Sequence, residues 1–134
     1  MPDNFADSHI VGVGIDLVDV ARISRMIAEY GDIFLKRTFT EAEIAYCGKF
    51  SDAPVHFAAR FAAKEAMAKA LSTGFANGIT PQGLSVENDA QTSAPAAVLD
   101  AAARARMAEL GAKKMSVSLT HLKDYAQAIA ILSR

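Results

Sequence analysis

The chain has 134 residues, 51% of them apolar and 22% charged, which is the size and balance of one soluble globular domain. A formal charge of −1 leaves no basic excess for nucleic-acid binding, and a single cysteine, Cys47, excludes both an internal disulfide and a multi-cysteine zinc site. No apolar run approaches the roughly 20 residues of a membrane span, and the polar start MPDNFADSH argues against a signal peptide.

In chain order, IVGVGIDLV (10–18) reads as a strand, with Val11, Val13 and Ile15 on one face. Gly12, Gly14 and Asp16 share the other face, where the glycines leave room for a close neighbour. Asp19 is placed to cap a helix over about 20–30, which Gly31 ends. Thr40 and Glu43 form a capping-box pattern ahead of a helix over 41–49. After a turn at Asp52-Ala53-Pro54, residues 55–72 give the strongest helix. Its residues Ala59, Ala62, Ala63, Ala66 and Ala70 make a methyl-only face suited to tight packing. A Gly- and Pro-containing loop covers 75–83, a short strand 84–88 and a turn 88–95. The spacing then predicts a helix over 96–110 stopped by Gly111, and an antiparallel hairpin of 115–121 with 125–132. The fold class expected is α+β.

The long helix carries Glu65 and Lys69 at i, i+4, and Arg60 and Lys64 as a second such pair on an adjacent face. Three cations exceed the needs of one salt bridge and suit a polyphosphate. The plainer reading of the same spacing is a solvated charged face. Asp16 interrupts an apolar strand. It is an early cap, an exposed strand end or a ligand for a hard cation such as magnesium, which takes few carboxylates and leaves positions for water and phosphate. His121 ends a strand, where it is exposed or touches a ligand. His9 and His56 have no distinguishing context. There is no H-x-x-x-H pair, no G-x-S-x-G, no G-x-G-x-x-G and no P-loop.

Together these pieces resemble a known family. GVGIDLVDVARI (12–23) resembles the first signature of the AcpS-type 4'-phosphopantetheinyl transferases, the holo-[acyl-carrier-protein] synthases. RFAAKEAMAKAL (60–71) resembles their second and most specific signature, and SLTHLKDYAQAIAIL (118–132) their C-terminal segment. Order and spacing agree. The resemblance implies a 4'-phosphopantetheinyl transferase-like fold, a small antiparallel sheet packed with a long central helix. Residues 10–134 would be the single domain, and 1–9 an N-terminal extension.

The resemblance also implies a reaction. The 4'-phosphopantetheine arm passes from coenzyme A to a serine of apo-acyl carrier protein, with Mg2+, releasing 3',5'-ADP, in cytoplasmic fatty acid biosynthesis. Asp16 and Glu65 would hold the metal, and Lys69 would contact the transferred phosphate. Glu65 or a water on the metal would accept the serine proton. Arg60, Lys64 and His121 would contact the phosphates and nucleotide end of coenzyme A. Arg22 and Arg25 would face the carrier protein. The family's trimeric state implies a homotrimer with active sites between subunits. A non-catalytic module binding coenzyme A or another nucleotide diphosphate is the rival expectation. Two departures from the family pattern, Ser72 and Ser93 in place of glycine, put loop shape in question, because serine tolerates positive φ poorly.

Overall fold

The computed structural model describes residues 5–134. Of the expected extension, residues 1–4 lie outside the described residues, and 5–9 form turns that reach the other terminus, where Arg134 N donates to His9 O at 2.8 Å. Alternation in the first apolar run produces β1 (Ile10–Asp19). The Asp19 carboxylate accepts from Ala21 N at 2.9 Å and so starts α1 (Val20–Tyr30). Gly31, at φ 52, turns the chain directly into α2 (Asp32–Thr38), a short helix the sequence reading passed over. Thr40 and Glu43 complete the capping box and open α3 (Glu41–Gly48). Pro54 lies in the first turn of α4 (Ala53–Ala70), where its missing N–H costs nothing.

The second half contains β2 (Leu84–Asn88), β3 (Pro95–Leu99), α5 (Ala101–Glu109), β4 (Lys114–His121) and β5 (Tyr125–Ser133). The expected helix over 96–110 is therefore half wrong. Residues 95–99 pair antiparallel with 84–88, and the helix starts only after Asp100, whose carboxylate caps Ala103 N at 2.9 Å. Ala-Ala-Val-Leu has no strong preference of its own, so pairing with β2 decides its state. The predicted β4–β5 hairpin forms, and β1 joins β5 on its other side to give the antiparallel order β1-β5-β4.

Helix α4 lies across this sheet and is enclosed by α1, α3 and β2. The closest approach is to β1. A Cβ on Gly14 would overlap the Ala66 carbonyl oxygen, and one on Gly12 would overlap that of Ala70. Glycine at both positions lets the helix backbone rest on the strand backbone, with Ala62, Ala66 and Ala70 buried along the contact. The other sheet face is uncovered: Ile15 is 53% and Leu17 61% exposed.

Both serine departures adopt the left-handed conformation a glycine would take, Ser72 at φ 58 and Ser93 at φ 61. Ser72 follows the last turn of α4, with its N–H on Lys69 O at 3.0 Å and Thr73 N on Ala68 O at 3.3 Å. Ser93 closes the β2–β3 turn through Asp89 O at 2.9 Å. The loop shapes are thus kept, with strain. Ser93→Gly is expected to stabilise the fold by about 0.5–1 kcal/mol, the relief of a left-handed Cβ less the extra chain entropy of glycine. A denaturant midpoint that stays put or falls would contradict this.

Candidate functional site

Two distant segments meet where β1 passes under α4. Asp16 occupies the β1 face shared with Gly12 and Gly14, the face that α4 covers. Lys69, near the end of α4, places Nζ 3.2 Å from Asp16 Oδ1 and donates to Ile15 O at 2.9 Å. Two of its three N–H groups are used, and its side chain is still 54% exposed. Glu65, one turn earlier on α4, is half-buried. Burial and then the negative charge of Asp16 raise its pKa above the ordinary 4.5, with Lys69 and Arg22 pulling the other way. Two carboxylates and one ammonium therefore lie close enough to feel one another's charge.

This donor set fits magnesium. Among the described residues no three His, Cys, Asp or Glu side chains come together as a closed metal cage. Two carboxylates beside a half-exposed lysine are what an ion completing its shell with water and phosphate requires. A cation there would offset the repulsion between Glu65 and Asp16.

The remaining cations are distributed differently from the sequence expectation of one exposed set. Lys64 is 1% exposed. Its Nζ meets Glu43 Oε1 at 2.6 Å and donates to Pro81 O at 2.8 Å and Leu84 O at 3.2 Å, so no donor is left for a coenzyme A phosphate. Desolvation lowers its pKa, and Glu43 opposes that. Arg60 is also buried, with its guanidinium carbon 4.1 Å from the centre of the Tyr46 ring and Nη2 on Asn88 Oδ1. Arg60 Nε is buried with no hydrogen-bond partner. Beside it lies a cavity of about 170 Å³ lined by Ala42, Tyr46, Arg60, Val86, Glu87 and Asn88. An orphaned guanidinium donor at such a cavity is a ready anion contact.

His121 ends β4 near the start of α4, its ring 5.2 Å from that of His56. His56 stacks on Phe50 at 3.7 Å and reaches Asp52 at 3.2 Å. Burial lowers the pKa of His56, and Asp52 counteracts this. Arg22 and Arg25 are exposed on α1. Arg22 lies over Phe61 at 5.6 Å and is felt by Glu65, so it borders the carboxylate cluster. Cys47 is fully buried, and desolvation pushes its thiol up to about 12, away from the range of an activated nucleophile.

The structure thus joins Asp16, Glu65 and Lys69, and sets Arg60 and His121 elsewhere around and along α4. Sequence reasoning did not identify Tyr46, Asn88 or His56 as neighbours of these groups. Only the Glu43 capping position carried a signal, and its second role as the partner of Lys64 was hidden behind the first.

The model of the 4'-phosphopantetheinyl transferase superfamily matches residues 12–130. The holo-[acyl-carrier-protein] synthase of Solibacter usitatus is 42% identical over 123 residues, covering 92% of this chain and 98% of that one. The crystal structure of the Neisseria meningitidis synthase superposes with a TM-score of 0.85 at 29% identity, covering 93% and 99% of the two chains. The Helicobacter pylori synthase, solved in complex with coenzyme A, gives 0.79 at 28% identity, covering 90% and 99%.

Proposed function

The chain belongs to the 4'-phosphopantetheinyl transferase superfamily, as an enzyme of the holo-[acyl-carrier-protein] synthase kind, and from that premise we propose that Asp16, Glu65 and Lys69 are its catalytic cluster. The observation that carries this is the convergence of those three side chains at the glycine-lined crossing of β1 and α4. The substrates are coenzyme A and an apo-acyl carrier protein. The non-catalytic binding module considered from the sequence is set aside, because the relatives are synthases along nearly their whole length.

The carrier serine oxygen bonds to the pantetheine-side phosphorus of the coenzyme A diphosphate. The bond from that phosphorus to the bridging oxygen breaks, and 3',5'-ADP leaves with the electron pair. Asp16 and Glu65 would hold Mg2+, whose positive charge would offset the negative charge of the diphosphate. Lys69 has one N–H left over and donates it to the phosphate oxygens as their charge grows. Glu65 or a water on the metal would take the serine proton. Arg60, with its free Nε, and His121 contact the phosphate and nucleotide end of coenzyme A. Arg22 and Arg25 present positive charge to the acidic surface of the carrier, next to the cluster its serine must reach.

A homotrimer with active sites between subunits is part of the proposal. The exposed apolar sheet face of Val13, Ile15 and Leu17 supports association, since such a face is seldom left in water. Arg60 and Lys69 lie nine residues apart on α4, roughly 180° around the helix. A ligand touching both on one protomer would have to pass round the helix, whereas two protomers offer both faces to one gap. Among the described residues no helix is long and apolar enough to cross a membrane. A cytoplasmic role in fatty acid biosynthesis is the setting we propose.

The test is direct. Incubation with apo-acyl carrier protein, coenzyme A and magnesium is expected to add the mass of one phosphopantetheine to the carrier, and chelation is expected to stop it. An unchanged carrier mass would overturn the transfer reaction. Full transfer under chelation would overturn the metal role alone.

A further inference from the structure

The Arg60 cavity is built between α3, α4 and β2. Tyr46 covers the guanidinium from α3, and Asn88 receives Nη2 at the end of β2. One turn further along α4 lies a second junction of the same three elements. Lys64 meets Glu43, which precedes Tyr46 by one turn of α3. The other oxygen of Glu43 accepts Val86 N at 3.0 Å, two residues before Asn88 on β2. Each contact around Arg60 is thus repeated one step away by a contact of the Glu43–Lys64 pair.

This pair makes no use of solvent. Glu43 Oε1 accepts both Lys64 Nζ and Thr40 N, and Oε2 accepts Val86 N. Lys64 spends its other donors on Pro81 O and Leu84 O, which fixes the approach to β2. Two apolar side chains of the same volume would hold α3 on α4 at least as well, because burying both charges costs much of what their attraction returns. Apolar packing would not fix α3, α4 and β2 in direction. The forked carboxylate does, since its two oxygens point at two different elements.

We propose that Glu43 and Lys64 are positioning residues that hold Tyr46 and Asn88 on either side of Arg60 and so set the affinity of that cavity for an anionic group of coenzyme A. The inference rests on the reading of Arg60 as a coenzyme A contact. It assigns Lys64 a role through Arg60 rather than on the ligand itself.

The test is steady-state transfer with coenzyme A varied, for the wild type, Glu43→Gln, Arg60→Ala and the Glu43→Gln/Arg60→Ala double variant. Glu43→Gln is expected to raise KM for coenzyme A about tenfold with kcat within about twofold, and to add nothing further once Arg60 is gone. A folded Glu43→Gln with unchanged KM overturns the positioning role. So does a tenfold rise that persists in the Arg60→Ala background, which would mark a merely structural effect. If Glu43→Gln does not fold, Glu43→Gln/Lys64→Met leaves no unpaired buried charge and must show the same KM rise. Arg60→Ala alone separates the two levels. Unmoved KM there overturns the reading of Arg60, whereas a raised KM there with an unmoved Glu43→Gln overturns only the inference.

Discussion

Asp16→Ala and Glu65→Ala are each expected to lower phosphopantetheine transfer by at least 10³-fold, a loss of about 4 kcal/mol in the barrier. Both side chains should be needed, because neither alone gives a hard cation the two protein oxygens that compete with water. The fold should survive. Asp16 sits at the rim of the crossing with Lys69 as its partner, and Glu65 is half-buried beside the like charge of Asp16. Glu65→Gln makes this distinguishable from simple damage. In metal-free protein the raised Glu65 pKa means that its contribution to stability is complete below the ordinary 4.5 and is lost as pH rises through the higher folded value. At neutral pH the ionised side chain therefore weakens the fold. Glu65→Gln is expected to raise the melting temperature of the metal-free protein while abolishing transfer. Magnesium with coenzyme A should stabilise the wild type in the same thermal scan and leave the variants unmoved. Near-normal turnover of either alanine variant at saturating magnesium would defeat the assignment.

The glycines beside Asp16 and the alanines of α4 were readable as a close helix–strand contact, because each side of that contact is local in sequence and periodic. The Asp16, Glu65 and Lys69 cluster, whose halves lie about fifty residues apart, came from the family resemblance rather than from that contact. Lys64 shows where local pattern stops. Its spacing from Arg60 is that of an exposed pair, and only the packing of α3 and β2 over that face of the helix turns it inward. Glu43 looked fully explained by its cap. Residues 95–99 have no strong preference in isolation, and their state depends on pairing with β2. Ser72 and Ser93 were flagged as misfits for loops that need positive φ, and the chain accepts the strain because flanking hydrogen bonds hold both loops shut. What the sequence leaves illegible is therefore partner choice across the core.

Gly14→Ala is the second large expectation, and it tests the scaffold rather than the chemistry. The added methyl would overlap the Ala66 carbonyl oxygen and lie within 2.9 Å of Ala70 N. Both are backbone atoms of α4, so no side-chain rotation can relieve the clash. Either α4 lifts from β1 or β1 bends. Overpacking a core usually costs about 1–3 kcal/mol, and with backbone on both sides of the contact a loss beyond 3 kcal/mol is expected, or a fall in melting temperature of roughly 10 °C or more. Lifting α4 also moves Glu65 and Lys69 away from Asp16, so any folded remainder should transfer poorly, chiefly through kcat. Gly48→Ala is the matching control. Gly48 is the last residue of α3, with nothing within 4 Å of its would-be Cβ and no positive φ. Alanine there should be neutral or stabilise by up to about 1 kcal/mol on helix preference alone. Opposite signs for the same methyl at two glycines would locate the requirement in the crossing of β1 and α4. Equal, small effects would mean that the strand and helix are not in backbone contact, and the geometry of the cluster would have no basis.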